Sequence, residues 1–404
     1  MAAPAASAAT TTDPAKAAAG YLARQLVGGN HYESSFGSQK FPAYGETADA
    51  VFGMAAAKAS GRALLAATAW LAANVAGYAD PTGVAGGPYP SGLAKLALVA
   101  EVTGGDPHAF GDVDLLAQLE AIECPRSGRA DCTADEAGKF KNTTDTGGYP
   151  NVFAQAFAVL ALSRSPVPAD RPDAAAVDFL VGQQCADGGF PVDFRAGTGG
   201  TCVSNVDSTA YAVQAMLAAG RNVTKPLDWL QSVAKPDGSF TNAENTSNAN
   251  STGLAAQALA AGGRDAATSV RWLIGKQLGC TAPPARRGAI TFDGTYDGGD
   301  PVLATAQALP GVIGAPLTTL TAAGAEADAP VLACAAPPSA SPTPAVTSPA
   351  RAPATTTPAG NAAPQPGLAA TNGVSGSAVR LLAGLGVGLV LTGSAVILLA
   401  RRRA

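Results

Sequence analysis

Apolar and polar positions between residues 14 and 334 follow a helical period, and one two-part pattern returns six times. The first part is small and apolar, as in VDSTAYAVQAMLAAG (206–220), NSTGLAAQALAAGG (250–263) and DPVLATAQALPGVIG (300–314). Upstream, GETADAVFGMAAAKASG (45–61), YPSGLAKLALVAEVTGG (89–105) and YPNVFAQAFAVLALSRS (149–165) fit the same frame, with Phe52, Lys95, Gln155, Gln214, Gln257 and Gln307 at the register position. Before each copy runs a second helical segment marked by an aromatic residue or Leu ahead of Leu: Tyr21-Leu22, Trp70-Leu71, Leu115-Leu116, Phe179-Leu180, Trp229-Leu230 and Trp272-Leu273. Turn signals such as CADGGF (185–190) and KPDGSF (235–240) separate the two, because Asp-Gly breaks a helix. No long alternating strand pattern occurs.

The unit is therefore a helix pair, and the pattern predicts an all-α fold, an α/α toroid of six helical hairpins over 14–334. Small side chains let the Ala- and Gly-rich helices crowd around the axis. These inner helices are expected near 45–58, 90–103, 150–163, 207–219, 250–262 and 301–313. Residues 1–13 read as a disordered N-terminus without a signal-peptide pattern. Residues 335–376, rich in Pro, Ala and Thr, read as a disordered stalk. In 377–404, an uncharged apolar run (381–400) followed by Arg401, Arg402 and Arg403 predicts one transmembrane helix with its tail inside.

Composition narrows the partners. The chain has 404 residues, 47% of them hydrophobic and 14% charged, with net charge -4, so no basic surface exists to hold nucleic acid. Six cysteines (Cys124, Cys132, Cys185, Cys202, Cys280, Cys334) form no CxxC pair and have no His close by, which suits disulfides better than zinc. Six allow 15 connectivities, and nearest-neighbour pairing is the expected one. Export to an extracytoplasmic, membrane-anchored place fits these features.

Two short stretches carry resemblances. LAATNG (368–373) is similar to the cell-wall sorting signals cut by sortases, through Leu368, Ala369 and Thr371, with Asn372 departing from the pattern. FLVGQQCADGGF (179–190) resembles the QW-type repeat of squalene and terpene cyclases, and 14–314 as a whole resembles the prenyltransferase and squalene-cyclase toroid superfamily. The last repeat, VLATAQALPGVIG (302–314), looks like the closing helix of the cobalamin carriers intrinsic factor and transcobalamin.

The superfamily's chemistry can be sought residue by residue. The DxDD acid of class II cyclases is absent, and Asp112-Val113-Asp114 reads as the start of an outer helix. The prenyltransferase zinc site would put ligands at Asp207, Thr209 and near Ser251, but hydroxyls do not replace thiolate and imidazole, and the chain's two histidines, His31 and His108, lie elsewhere. Asp293, Asp297 and Asp300 crowd one loop in ordinary Asp-Gly turn chemistry, without EF-hand spacing. No metal and no cofactor is expected.

Inner-helix N-termini gathered at one rim aim N–H groups and dipoles at one mouth. The candidate ligand residues there are Tyr149, Asn151, Asn205, Asp207, Thr209, Tyr211, Asn250, Thr252 and Asp300, although helix capping explains many of them equally well. The expected function is a non-catalytic, membrane-anchored binder of a partly apolar small molecule such as cobalamin or an isoprenoid. The alternative is a terpene-cyclase or prenyltransferase-like enzyme acting on an isoprenoid.

Overall fold

The computed structural model of the chain describes residues 9–80, 88–141, 151–195, 201–241 and 245–334. In chain order the helices are α1 (Pro14–Gln25), α2 (Tyr44–Ala56), α3 (Gly61–Ala73), α4 (Val75–Ala79), α5 (Pro90–Thr103), α6 (Leu115–Ile122), α7 (Val152–Arg164), α8 (Ala174–Gly182), α9 (Val206–Ala218), α10 (Thr224–Val233), α11 (Ala249–Ala261), α12 (Ala267–Ile274) and α13 (Pro301–Ile313). The inner helices α2, α5, α7, α9, α11 and α13 pack each on the next, and α13 packs back on α2, which closes the ring. Each is preceded by an outer helix: α1, α3 (with the short α4), α6, α8, α10 and α12.

Burial follows from that placement. Inner helices are buried nearly all round, whereas outer helices bury a single stripe. In all six outer helices the Leu after the marker residue (Leu22, Leu71, Leu116, Leu180, Leu230, Leu273) is fully buried. The closing seam is tight because Gly253 of α11 faces Gly311 and Ala308 of α13, so the two backbones touch where any Cβ would collide. Strand structure is marginal: β1 (Thr10–Thr11) pairs in parallel with β4 (Val331–Leu332), and β2 (Glu33–Phe36) forms a hairpin with β3 (Gln39–Pro42).

One device repeats at the inner-helix starts. The side chains of Thr47, Gln155, Thr209, Thr252 and Thr305 accept hydrogen bonds from the backbone N–H of Tyr32, Phe140, Phe190, Phe240 and Ile290 at 2.8–3.1 Å, fastening the preceding loop to the helix. This corrects the sequence register, since Gln155 stands where its sister helices carry Thr. Asn151, Asn205, Asn248 and Asp300 cap α7, α9, α11 and α13. Cys124 is bonded to Cys132 and Cys185 to Cys202, and Cys280 and Cys334 are disulfide-bonded as well.

The transmembrane part of the expected fold is corrected. No helix among the described residues is long and apolar enough to cross a membrane. The stretches on which the stalk, the sorting signal (Leu368, Ala369, Thr371) and the anchor rested, 335–376 and 377–404, lie outside the described residues. The expected membrane attachment, sortase partner and extracytoplasmic, cell-surface location find no support among the described residues.

Candidate active site

Two residues beyond the fastening side chains come Asp49, Phe157, Tyr211, Leu254 and Gln307, of which four line one cavity between the inner helices and Phe157 packs on Tyr211. With Lys95 of α5 they make one layer, each inner helix giving one residue. Lys95 Nζ lies 2.6 Å from Asp49 Oδ1 and 5.5 Å from the centre of the Phe157 ring, Phe157 tilts against Tyr211 at 4.6 Å, and Gln307 Nε2 donates to Asp49 Oδ2 at 3.1 Å. Asp49 and Lys95 are each 5% exposed. Burial opposes the ammonium, but Asp49 and Tyr78 overcome it and hold Lys95 above its ordinary range. The axis thus carries a buried ion pair of zero net charge.

One turn toward the helix N-termini lies the mouth. Asp207 precedes Tyr211 by four residues on α9, so the two share a face. Its Oδ1 is shielded from solvent and has no hydrogen-bond partner. Burial pushes this carboxyl up to about 6, against the hydroxyl of Ser251, which favours the ionised form. Asn250, at the matching position of α11, gives Nδ2 to Gln307 Oε1 at 2.9 Å and leaves its Oδ1 without a partner. Glu46 of α2 is raised further, to about 8, by burial first and then by Asp300 and Asp49. Ser34 Oγ approaches it at 3.5 Å. Two carboxyls near the mouth are therefore proton carriers close to neutrality.

Toward the helix C-termini the axis narrows. A cavity of about 250 Å³, counted with its open side, is lined by Asp49, Tyr211 and Gln307 at one end and by Phe52, Gln257 and Leu317 at the other. Its interior has room for little more than one water molecule.

The candidate residues divide by what holds them. Asn151, Asn205 and Asp300 spend a side-chain oxygen on helix N–H groups. Thr209 and Thr252 are fully buried, and each hydroxyl accepts from a loop N–H while donating to a carbonyl one turn back. Asp207, Tyr211 and Asn250 face the axis and its mouth, and Tyr149 lies outside the described residues. Asp114 caps α6 and receives His108, which also reaches Asp170. His31 stacks on Trp70 at 4.5 Å. Asp293 turns back on Thr295, and no cluster of three His, Cys, Asp or Glu suited to a metal occurs among the described residues.

Sequence reasoning missed Glu46, Asp49 and Lys95. The signal was present: single charges of opposite sign within Ala-rich stretches that the periodicity buries all round.

No family model matches the chain, and no curated protein does either. Among solved structures it is similar to the type II terpene cyclase MstE from Scytonema. The apo form of one variant is 15% identical, with a TM-score of 0.51 over 76% of this chain and 96% of that one. A variant holding geranylgeranyl dihydroxybenzoate as substrate is 15% identical, with a TM-score of 0.50 over 75% and 97%. The fold is thus that of the type II terpene-cyclase and prenyltransferase-like toroids. It offers nothing for a relation to the cobalamin carriers.

The expectation of a non-catalytic binder is corrected by these findings. It rested on the missing DxDD acid and zinc ligands. In a toroid of the cyclase type, however, the structure holds two carboxyls whose neutral form burial favours, Asp207, raised to about 6, and Glu46, raised to about 8. Missing motifs then no longer weigh against catalysis.

Proposed function

We propose that the protein is an enzyme of the terpene-cyclase kind, which starts its reaction by protonating an alkene of an isoprenoid chain lodged at the mouth and axis of the ring. The observation that carries this reading is the bare, shielded Oδ1 of Asp207 above the axial layer. Raised to about 6, this carboxyl is neutral below that pH and in part near neutrality, and only its neutral form can give a proton to a weakly basic alkene.

In the proposed step the Asp207 hydroxyl transfers its proton to one alkene carbon, a C–H bond forms from the π pair, and positive charge is left on the neighbouring carbon. Asp207 becomes a carboxylate, and loss of a proton from the cyclised chain completes the balance. The rings of Phe153 and Phe157, centred 5.9 and 4.6 Å from that of Tyr211, suit a passing cation. Asp49 claims the Lys95 ammonium, so the axis favours a neutral polar head over a diphosphate. Asn250 Oδ1 would accept a hydrogen bond from such a head.

The test is incubation with farnesol, geranylgeraniol and their aryl or carboxyl derivatives in heavy water, with products read by mass spectrometry. Cyclised product carrying one non-exchangeable deuterium is expected, with at least a hundredfold loss in Asp207→Asn. Full activity in that variant would remove Asp207 from the role, and no turnover of any isoprenoid would remove the reading.

A further inference from the structure

We infer that Leu317, on the segment after the last helix, sets the length of chain that the axial site accepts; this rests on the isoprenoid reading above. Every other residue lining the axial cavity belongs to α2, α9, α11 or α13, whereas Leu317 enters from beyond α13.

Its position is built rather than incidental. The backbone N–H of Leu317 donates to Gln214 Oε1 at 2.6 Å, Gln214 Nε2 donates to Gln257 Oε1 at 3.1 Å, and Gln257 Nε2 donates to the Ala315 carbonyl at 2.7 Å. Two buried glutamines of the repeat thus spend their side chains on this strap. Arg164 of α7, paired with Glu101 at 3.0 Å, donates to the carbonyls of Leu317 and Leu320. Further on, the Ala322 N–H reaches the Val102 carbonyl at 2.6 Å. The backbone is therefore fixed by four inner helices, and Leu317, 3% exposed, lines the cavity. With room for little more than one water molecule, the cavity's interior lies far below the usual range for small-molecule pockets. Leu317 is the one lining side chain that the helices do not supply, so trimming it is expected to add space at the axis and enlarging it to remove space.

The experiment measures affinity for 1-alkanols from hexanol to dodecanol, and for geraniol, farnesol and geranylgeraniol, by calorimetry on the full chain, for the wild type, Leu317→Ala and Leu317→Phe. Circular dichroism establishes that each variant is folded, and Leu317→Val replaces Leu317→Ala if the latter is not. The expected result is a preference moved to longer chains in Leu317→Ala, at least tenfold in the ratio of long to short affinities, and to shorter chains in Leu317→Phe. The same ranking in all three proteins, or no binding by any, overturns the inference. Turnover of isoprenoids with an unmoved ranking removes the role of Leu317 alone. A moved alkanol ranking without isoprenoid turnover removes the proposed function and leaves Leu317 as the floor of an apolar site.

Discussion

Asp207 ties a titration to the proposed reaction. Because its folded pKa of about 6 lies above the ordinary carboxylate value, the folded state holds a proton that the unfolded chain releases near pH 4. Stability contributed by this group is therefore lost as pH rises from about 4 to about 6, on the order of 2 kcal/mol with allowance for its partial exposure. Asp207→Asn should raise the denaturation midpoint at pH 7.5 and leave it nearly unchanged at pH 4. If Asp207 is the proton donor, turnover should fall tenfold per pH unit above about 6, whereas Glu46 as donor would extend the plateau to about 8. A pH–rate profile separates the two. The buried pair yields a second expectation: Asp49→Asn or Lys95→Met alone should cost about 3–5 kcal/mol in chemical denaturation, since each strands the other charge at the axis. Replacing both with apolar residues should recover much of that loss.

At the scale of the element, each inner helix is a cap, a fastening side chain and an axial residue in fixed order. The asparagine caps and the Asp-Gly turns are legible in sequence, because capping and turn chemistry are local. That Thr209 holds the Phe190 N–H is not, because its partner comes from the loop before the helix, 19 residues away. Thr209→Val leaves that N–H buried without an acceptor and should cost about 1–3 kcal/mol, whereas Thr209→Ser should restore most of it. Urea titration measures both. The Cys185–Cys202 bridge closes a 17-residue loop, so its removal by Cys185→Ser with Cys202→Ser should lower stability by about 3 kcal/mol.

Over the whole molecule, closure depends on the α11–α13 seam, where a Cβ on Gly311 would lie 2.1 Å from the Gly253 carbonyl oxygen. Gly311→Val should prevent folding or lower the melting temperature steeply, and calorimetry would show it. The sequence by itself determined the helical period, the six pairs, their small and large faces and the caps, since these depend on spacing along one chain. It also left the charges of Asp49 and Lys95 visible in apolar surroundings. Only the tertiary structure decided that these two residues meet, that Asp207 keeps an unpaired oxygen, and that the segment carrying Leu317 lines the axial cavity. Those facts join residues tens to hundreds of positions apart. Which side chains share a layer of a closed ring depends on how each helix is rotated about its own axis, and packing sets that rotation.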